Sequence, residues 1–170
     1  MKLSIQITPE MRIRLMHAQS LDIVHRLANR LNKEWNSGFN ITAHTNHKDA
    51  LDGTDFVVSA IEVGPREELW KADFDIPIKY GVRQPYAENG GPGGFAHTAR
   101  NAMPVLSIVR DMEQACPDAW FINFTNPMVR ICDLVNRHSK IKAVGLCHQI
   151  FIGYCFVGMV LAEELGIEVP

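Results

Sequence analysis

Two spacings of apolar residues alternate along this chain, and each predicts a different element. Short apolar runs and strict alternation predict β-strands, whereas apolar residues three and four positions apart predict amphipathic α-helices. Strands are predicted over residues 12–16, 39–43, 55–61, 119–123 and 141–146. Helices are predicted over residues 21–35, 95–115, 127–137 and 151–165, with a half-turn at 48–51. The run at 55–61 is continuous and β-rich, which is typical of a strand buried on both faces.

Capping residues and prolines predict where the helices end. Ser20 is expected to cap the helix from residue 21, and Asn126 to cap a helix whose first residue is Pro127. Pro104 is expected to kink or interrupt the helix at 95–115. The proline- and glycine-rich region 62–94 is predicted to be a long irregular segment, although residues 67–74 are a candidate helix within it.

Strand followed by helix, at least four times, predicts an α/β fold with a doubly wound parallel sheet of Rossmann type. Folds of this type bind ligands beyond the carboxyl ends of their strands. Polar residues at 62–64, 123–126 and 147–149 each follow a predicted strand. We therefore expect these three segments to converge on one edge of the sheet.

Composition narrows the classes of partner. Apolar residues make up 46% of the 170 residues and charged residues 21%, and the formal net charge is −2. No basic stripe suited to phosphates is present, so a nucleic acid or a membrane surface is not an expected partner. No apolar run is long enough to span a bilayer, and a soluble cytoplasmic protein is the expectation. The four cysteines lack CxxC spacing, which favours reduced core thiols for most of them.

Six segments resemble glycoside hydrolase family 4, in the order and spacing of that family. They read ALDGTDFVV at 50–58, EVG at 62–64, IPIKYG at 76–81, GGPGGF at 90–95 and on to Arg100, NFTNPM at 123–128, and VGLCH at 144–148. Members of this family are glycosidases that depend on NAD and a divalent metal. The adjacent Cys147 and His148 resemble the branch that acts on unphosphorylated α-linked sugars or sugar acids, the α-glucosidases, α-galactosidases and α-galacturonases.

The resemblance implies a redox route to cleavage of O-glycosidic bonds, outside the scheme of two carboxylates. In that route NAD takes a hydride from C3 of the sugar, and the ketone acidifies the proton on C2. A metal ion, usually Mn2+, stabilises the enediolate while the aglycone leaves. Water then adds and the hydride returns.

The resemblance also implies roles for individual residues, each with a structural alternative. Cys147 matches the metal-ligand cysteine, the alternative being an inert buried thiol. Asn126, His148 and Gln149 match substrate-contacting positions, although Gln149 departs from the usual serine or glutamate. A helix cap is the alternative for Asn126, and a capping or orienting role for His148. Glu62, Val63, Gly64 and Asn123 are the expected cofactor contacts, the alternatives being a plain turn for 62–64 and backbone hydrogen bonding for Asn123.

Two departures from the family pattern limit this expectation. No glycine-rich pyrophosphate turn precedes Phe39, and His17 and Gln19 stand where a ribose-binding acid is expected. The family's second metal ligand, a histidine, and its catalytic tyrosine base are expected beyond Pro170. We therefore expect residues 1–170 to be an incomplete NAD-binding domain without the catalytic domain, and to be inactive alone.

Two other classes stay open at this point. An NAD-dependent 2-hydroxyacid dehydrogenase also has Asn-Pro after a central strand, but its Asp-x-x-Arg and relay histidine are not found after Gly145. The second class is a non-catalytic α/β remnant whose unfinished sheet favours self-association into a homo-oligomer. The family resemblance implies a small-molecule glycoside as the partner.

Overall fold

Strands and helices alternate along the chain in a computed structural model that describes residues 10–14, 18–84 and 89–166. The elements are β1 (Glu10–Arg14), α1 (Ala18–Glu34), β2 (Asn40–His44), α2 (Lys48–Leu51), β3 (Phe56–Ser59), α3 (Arg66–Lys79), α4 (Gly91–Ala115), β4 (Trp120–Asn123), α5 (Met128–His138), β5 (Lys142–Gly145) and α6 (Gln149–Leu165). The five predicted strands are confirmed within two residues at each end that the structure describes. Residues 15–16 of the first strand, together with His17, Pro85 and Pro170, lie outside the described residues.

All strand pairing among the described residues is parallel, as a doubly wound fold requires. β1 pairs with β2, and β3, β4 and β5 form a second sheet in that order. The common doubly wound order 3-2-1-4-5-6 places one central strand between such a pair and such a triplet. The described part of the chain has no strand at that place, so the Rossmann-like sheet is divided in two.

The hydrophobic core lies between the three-stranded sheet and helices α4 and α5. Helix α4 contributes Val105, Val109 and Met112, which are fully buried because their spacing of four and three residues puts them on one face. Phe121 of β4 and Ile131 of α5 are also fully buried in this cluster. Burial of these side chains is the main stabilising contribution that fixes the sheet against α4.

The prediction that β3 is buried on both faces is wrong. Val57 packs against the core, whereas Phe56 and Val58 are 64% and 62% exposed. Successive side chains of a strand point to opposite faces, so these two lie on the face away from the core. The described part of the chain covers that face of β3 only weakly.

The region after β3 is more helical than the sequence predicted. Helix α3 runs through Pro77, so the prediction of a mainly irregular segment is wrong and the candidate helix within it is confirmed. Helix α4 begins at Gly91 and passes Pro104 without a break, since its inner face stays packed along its length. The glycines at 91–94 therefore form the first turn of a helix rather than a flexible loop.

Two predicted caps are also wrong. Helix α1 begins at Ala18, which places Ser20 inside the helix. Helix α5 begins at Met128, its N-cap is Pro127 with extended backbone, and no side chain caps it. The peptide bond between Asn126 and Pro127 is cis. The side chain of Asn126 therefore does not cap helix α5.

Helix α6 contrasts with the packed helices, because none of its residues is buried. Its exposed apolar side chains lie on every side, for example Phe151, Tyr154, Phe156 and Val160. Among the described helices none combines the length and apolarity that crossing a membrane requires. The four cysteines are free thiols, of which only Cys116 is buried and Cys147 is exposed. Burial raises the pKa of the Cys116 and Cys132 thiols.

Candidate substrate and cofactor site

The carboxyl ends of β3, β4 and β5 stand side by side. The register aligns Ser59 with Asn123, and Asn123 with Gly145. The polar segments at 62–64, 123–126 and 147–149 therefore leave the sheet at the same edge, as the sequence predicted. The backbone N–H of Leu146 also donates to the Asn123 carbonyl at 3.0 Å, which extends the contact past the strands.

Thr125 joins the loops that follow β3 and β4. Its side-chain oxygen accepts from the Ile61 N–H at 3.0 Å and lies 3.2 Å from the Ser59 hydroxyl oxygen. The Phe124 N–H donates to the Ser59 carbonyl at 2.7 Å. Thr125 lies in the polar segment 123–126, but nothing in the sequence marked it as the residue that joins the two loops. These bonds hold the two loops in one arrangement.

Asn123 is fully buried and its carboxamide is occupied. Its Oδ1 accepts from the Thr125 N–H at 3.1 Å, and its Nδ2 donates to the Thr125 carbonyl at 2.9 Å. Nδ2 also lies 3.8 Å from Sγ of Cys132. Of the two roles expected for Asn123, the structure supports backbone hydrogen bonding. The cofactor contact expected for Asn123 stays a prediction, since its Oδ1 can accept a second hydrogen bond.

Asn126 lies half-buried at the same edge, with its backbone fixed by α4. The Asn101 Nδ2 donates to the Asn126 carbonyl at 3.0 Å, and Asn101 itself is fully buried. No described residue forms a hydrogen bond with the Asn126 carboxamide, which the structure leaves free for a ligand. This geometry is consistent with the substrate contact expected for Asn126.

Glu62, an expected cofactor contact, pairs with His97. No sequence pattern had identified His97 as a residue of the site. The Nε2 of His97 in α4 lies 2.9 Å from Oε1 of Glu62, and His97 is fully buried. Trp70 packs edge-on to the His97 ring at 6.0 Å, and the Arg66 guanidinium lies 4.1 Å from the centre of the Trp70 ring. The Glu62 carboxylate keeps 28% of its side chain exposed, so it can still accept a ligand hydroxyl.

Val63 and Gly64 complete that loop. Val63 is half-buried, and Gly64 has a φ of 83°, a backbone conformation that favours glycine. A Cβ at Gly64 would lie 2.6 Å from Leu69 Cδ1. The turn is therefore fixed by helix α3 packing against it.

An ion pair joins helix α3 to helix α4 near the loop at 62–64. The Arg100 Nη1 donates to Asp73 Oδ1 at 3.0 Å, and Nη2 donates to Oδ2, which gives a bidentate pair. Asp73 is buried, and its hydrogen bond raises the pKa of Arg100. Arg100 thus acts in packing α4 against α3.

The third polar segment, residues 147–149, is exposed at the start of helix α6. Gln149 is the first helical residue, and its N–H donates to the Cys147 Sγ at 3.5 Å. The alternative of an inert buried thiol is wrong for Cys147, which is exposed. The capping alternative for His148 is contradicted as well, since its side chain makes no cap hydrogen bond. Gly145 is tightly packed, because a Cβ there would lie 2.2 Å from Met128 Sδ.

These residues fit a metal site in part. An exposed thiol and imidazole at a strand end can both serve as metal ligands. The residues described nevertheless contain no group of three His, Cys, Asp or Glu side chains that could hold an ion. Cys147 and His148 can therefore supply at most two members of a ligand set.

Comparison with known proteins identifies the relatives of this chain. A family model described as family 4 glycosyl hydrolase matches residues 3–163. An α-glucosidase of Erwinia rhapontici is 48% identical over 113 residues, which cover 66% of this chain and 25% of that protein. An α-galactosidase of Bacillus subtilis is 38% identical over 120 residues, covering 71% and 28%. The chain thus spans about a quarter of the length of these relatives.

Solved structures show the same fold. A 6-phospho-beta glucosidase of Thermotoga maritima, solved with manganese, NAD+ and glucose-6-phosphate, superposes with a TM-score of 0.76 at 22% identity. That match covers 91% of this chain and 37% of the other. The malate dehydrogenase of Aeropyrum pernix superposes with a TM-score of 0.59 at 11% identity, over 95% of this chain and 45% of the other. At such identities the likeness establishes the Rossmann-like fold.

Proposed function

We propose, because this chain belongs to the family 4 glycosyl hydrolases, that it carries part of the active site of an α-glycosidase. The substrates would be unphosphorylated α-linked sugars or sugar acids, cleaved with the help of NAD and Mn2+. The observation that carries the proposal is the convergence of three polar segments on one edge of the sheet. Ligands of open α/β sheets bind at such an edge.

The proposed roles follow the exposure of each side chain. Asn126, His148 and Gln149 would contact the sugar, since no described residue occupies the Asn126 carboxamide and the other two are exposed. Glu62, Val63 and Gly64 would contact the cofactor. Cys147 would ligate the metal through its exposed thiol, which lies at the start of α6. When bound, NAD supplies the redox chemistry and Mn2+ supplies Lewis-acid chemistry.

The names of the two relatives above favour an α-linked substrate, whereas a probable 6-phospho-beta-glucosidase of Bacillus subtilis is 36% identical to this chain. The α-glucosidase and α-galactosidase share 48% and 38% of their aligned residues with this chain. The dehydrogenase alternative has only fold likeness in its favour, at 11% identity. A shared fold hosts many chemistries, so this likeness does not argue for hydroxyacid oxidation.

Sugar binding tests the substrate class. In saturation-transfer NMR with NAD+ and Mn2+ present, methyl α-glucoside or methyl α-galacturonoside should receive a signal from the chain. The signal should fall at least about fivefold in Asn126→Ala, because a substrate hydrogen bond contributes about 1 kcal/mol. Asn136→Ala, an exposed position on α5, is the matched control and should bind as the unaltered chain does. No signal from either glycoside, or a stronger one from glucose 6-phosphate, would contradict the proposed substrate class.

Turnover by the chain alone is expected to be absent. The described residues provide no complete metal-ligand group, and the chain spans about a quarter of the relatives. Incubation of the purified chain with NAD+, Mn2+ and p-nitrophenyl α-glycosides should release no p-nitrophenol above a protein-free control. Release that requires both NAD+ and Mn2+ would overturn this prediction and show a complete active site.

A further inference from the structure

One inner stripe of helix α4 changes from polar to apolar along its length. His97 and Asn101 are fully buried, and the same stripe continues with Val105, Val109 and Met112. The four-residue spacing of the two polar positions places them on one face. The apolar half packs under the sheet, so the polar half lies level with the carboxyl ends of the strands.

Each polar residue of this stripe contacts a different loop of the candidate site. His97 pairs with the Glu62 carboxylate, in the loop after β3, at 2.9 Å. Asn101 donates to the Asn126 carbonyl, in the loop after β4, at 3.0 Å. Buried polar groups are costly unless such bonds are made, so each bond fixes one loop against the helix.

We propose that His97 and Asn101 are positioning residues of the site, His97 for Glu62 and Asn101 for Asn126. This inference rests on the proposed function, because Glu62 and Asn126 are there the cofactor and substrate contacts. His97 holds the carboxylate where it accepts hydrogen bonds from the hydroxyl groups of a bound polyol. Asn101 fixes the backbone of Asn126 and so directs a carboxamide that is otherwise free to turn.

Backbone dynamics test the positioning without any ligand. In His97→Phe, which keeps the ring volume but loses the donor, 15N order parameters at 62–64 should fall from about 0.85 to below about 0.6. In Asn101→Leu the fall should instead occur at 124–126. His97→Gln, which restores an N–H donor, should recover the order at 62–64. Ser107→Ala, at an exposed position on α4, should change neither loop.

Ligand binding then separates positioning from general stability. His97→Phe should weaken NAD+ binding at least about fivefold in a titration with NAD+, while methyl α-glucoside should bind as it does to the unaltered chain. Asn101→Leu should weaken binding of methyl α-glucoside only and leave NAD+ binding unchanged. Equal loss of order in both loops from either variant, or no recovery in His97→Gln, would overturn the inference. If the unaltered chain binds neither ligand, the proposed function fails, while the order parameters still decide the positioning.

Discussion

Replacing Phe121 with alanine is expected to lower the free energy of unfolding by about 3–5 kcal/mol, the usual cost of removing a buried aromatic ring. Phe121 is fully buried in the centre of β4 and packs in the core shared with α4 and α5. The ring fills the space between the sheet and both helices, so its loss leaves a cavity that the packed helices cannot fully close.

Urea unfolding followed by circular dichroism measures this effect. Phe124→Ala is the matched control, because Phe124 lies just past the same strand and is 49% exposed. That control should cost less than about 1 kcal/mol, since surface substitutions are usually small in effect. A similar loss of unfolding free energy in Phe121→Ala and Phe124→Ala would contradict the conclusion that the core between the sheet and the helices stabilises the fold.

Asp73→Ala is the second substitution with a large expected effect, about 2–3 kcal/mol, which is below the range for a fully buried pair because Arg100 is partly exposed. Asp73 is buried and forms a bidentate ion pair with Arg100, which joins α3 to α4. Removing the carboxylate leaves the partly buried guanidinium with only the weaker attraction of Glu62. Breaking such a pair costs far more than the net contribution of the pair itself.

The exposed ion pair between Lys71 and Asp75 provides the control on the same helix. Asp75→Ala should cost less than about 1 kcal/mol, because solvent screens that pair. Combining Asp73→Ala with Arg100→Met should recover part of the loss, since no buried charge then remains unpaired. Equal costs for Asp73→Ala and Asp75→Ala would contradict the described packing of α3 on α4.

Local sequence patterns predicted the strands and most helices, and tertiary contacts explain the misses. Short apolar runs and alternation of apolar and polar residues placed all five strands within two positions at each end that the structure describes. Helix α3 was predicted only as a candidate over residues 67–74, because its apolar residues do not form one clear face and Pro77 lies inside it. The two-sided burial of β3 was wrong, because burial depends on which helices cover the sheet.

Only the part of the site that lies at the ends of strands could be predicted from the sequence. Polar residues directly after strands identified the three segments, because parallel strands end at a common edge. The contacts of His97 and Thr125 were missed, since their partners Glu62 and Ser59 lie 35 and 66 positions away in the chain. No local pattern distinguishes a histidine that holds a loop from one that only fills the core. The contacts of the Asn123 carboxamide with Thr125 and Cys132 could not be predicted for the same reason.

The central claim is that the sheet edge carries part of a metal-dependent glycosidase site with Cys147 as a ligand. Titration with Mn2+, followed by electron paramagnetic resonance of the free ion under reducing conditions, tests it most directly. We predict that the unaltered chain binds Mn2+ and that Cys147→Ala weakens this affinity by at least about tenfold. Cys155→Ala, at a half-buried position on α6, should bind as the unaltered chain does. Equal affinity in all three proteins, or no affinity in any of them, would contradict the account.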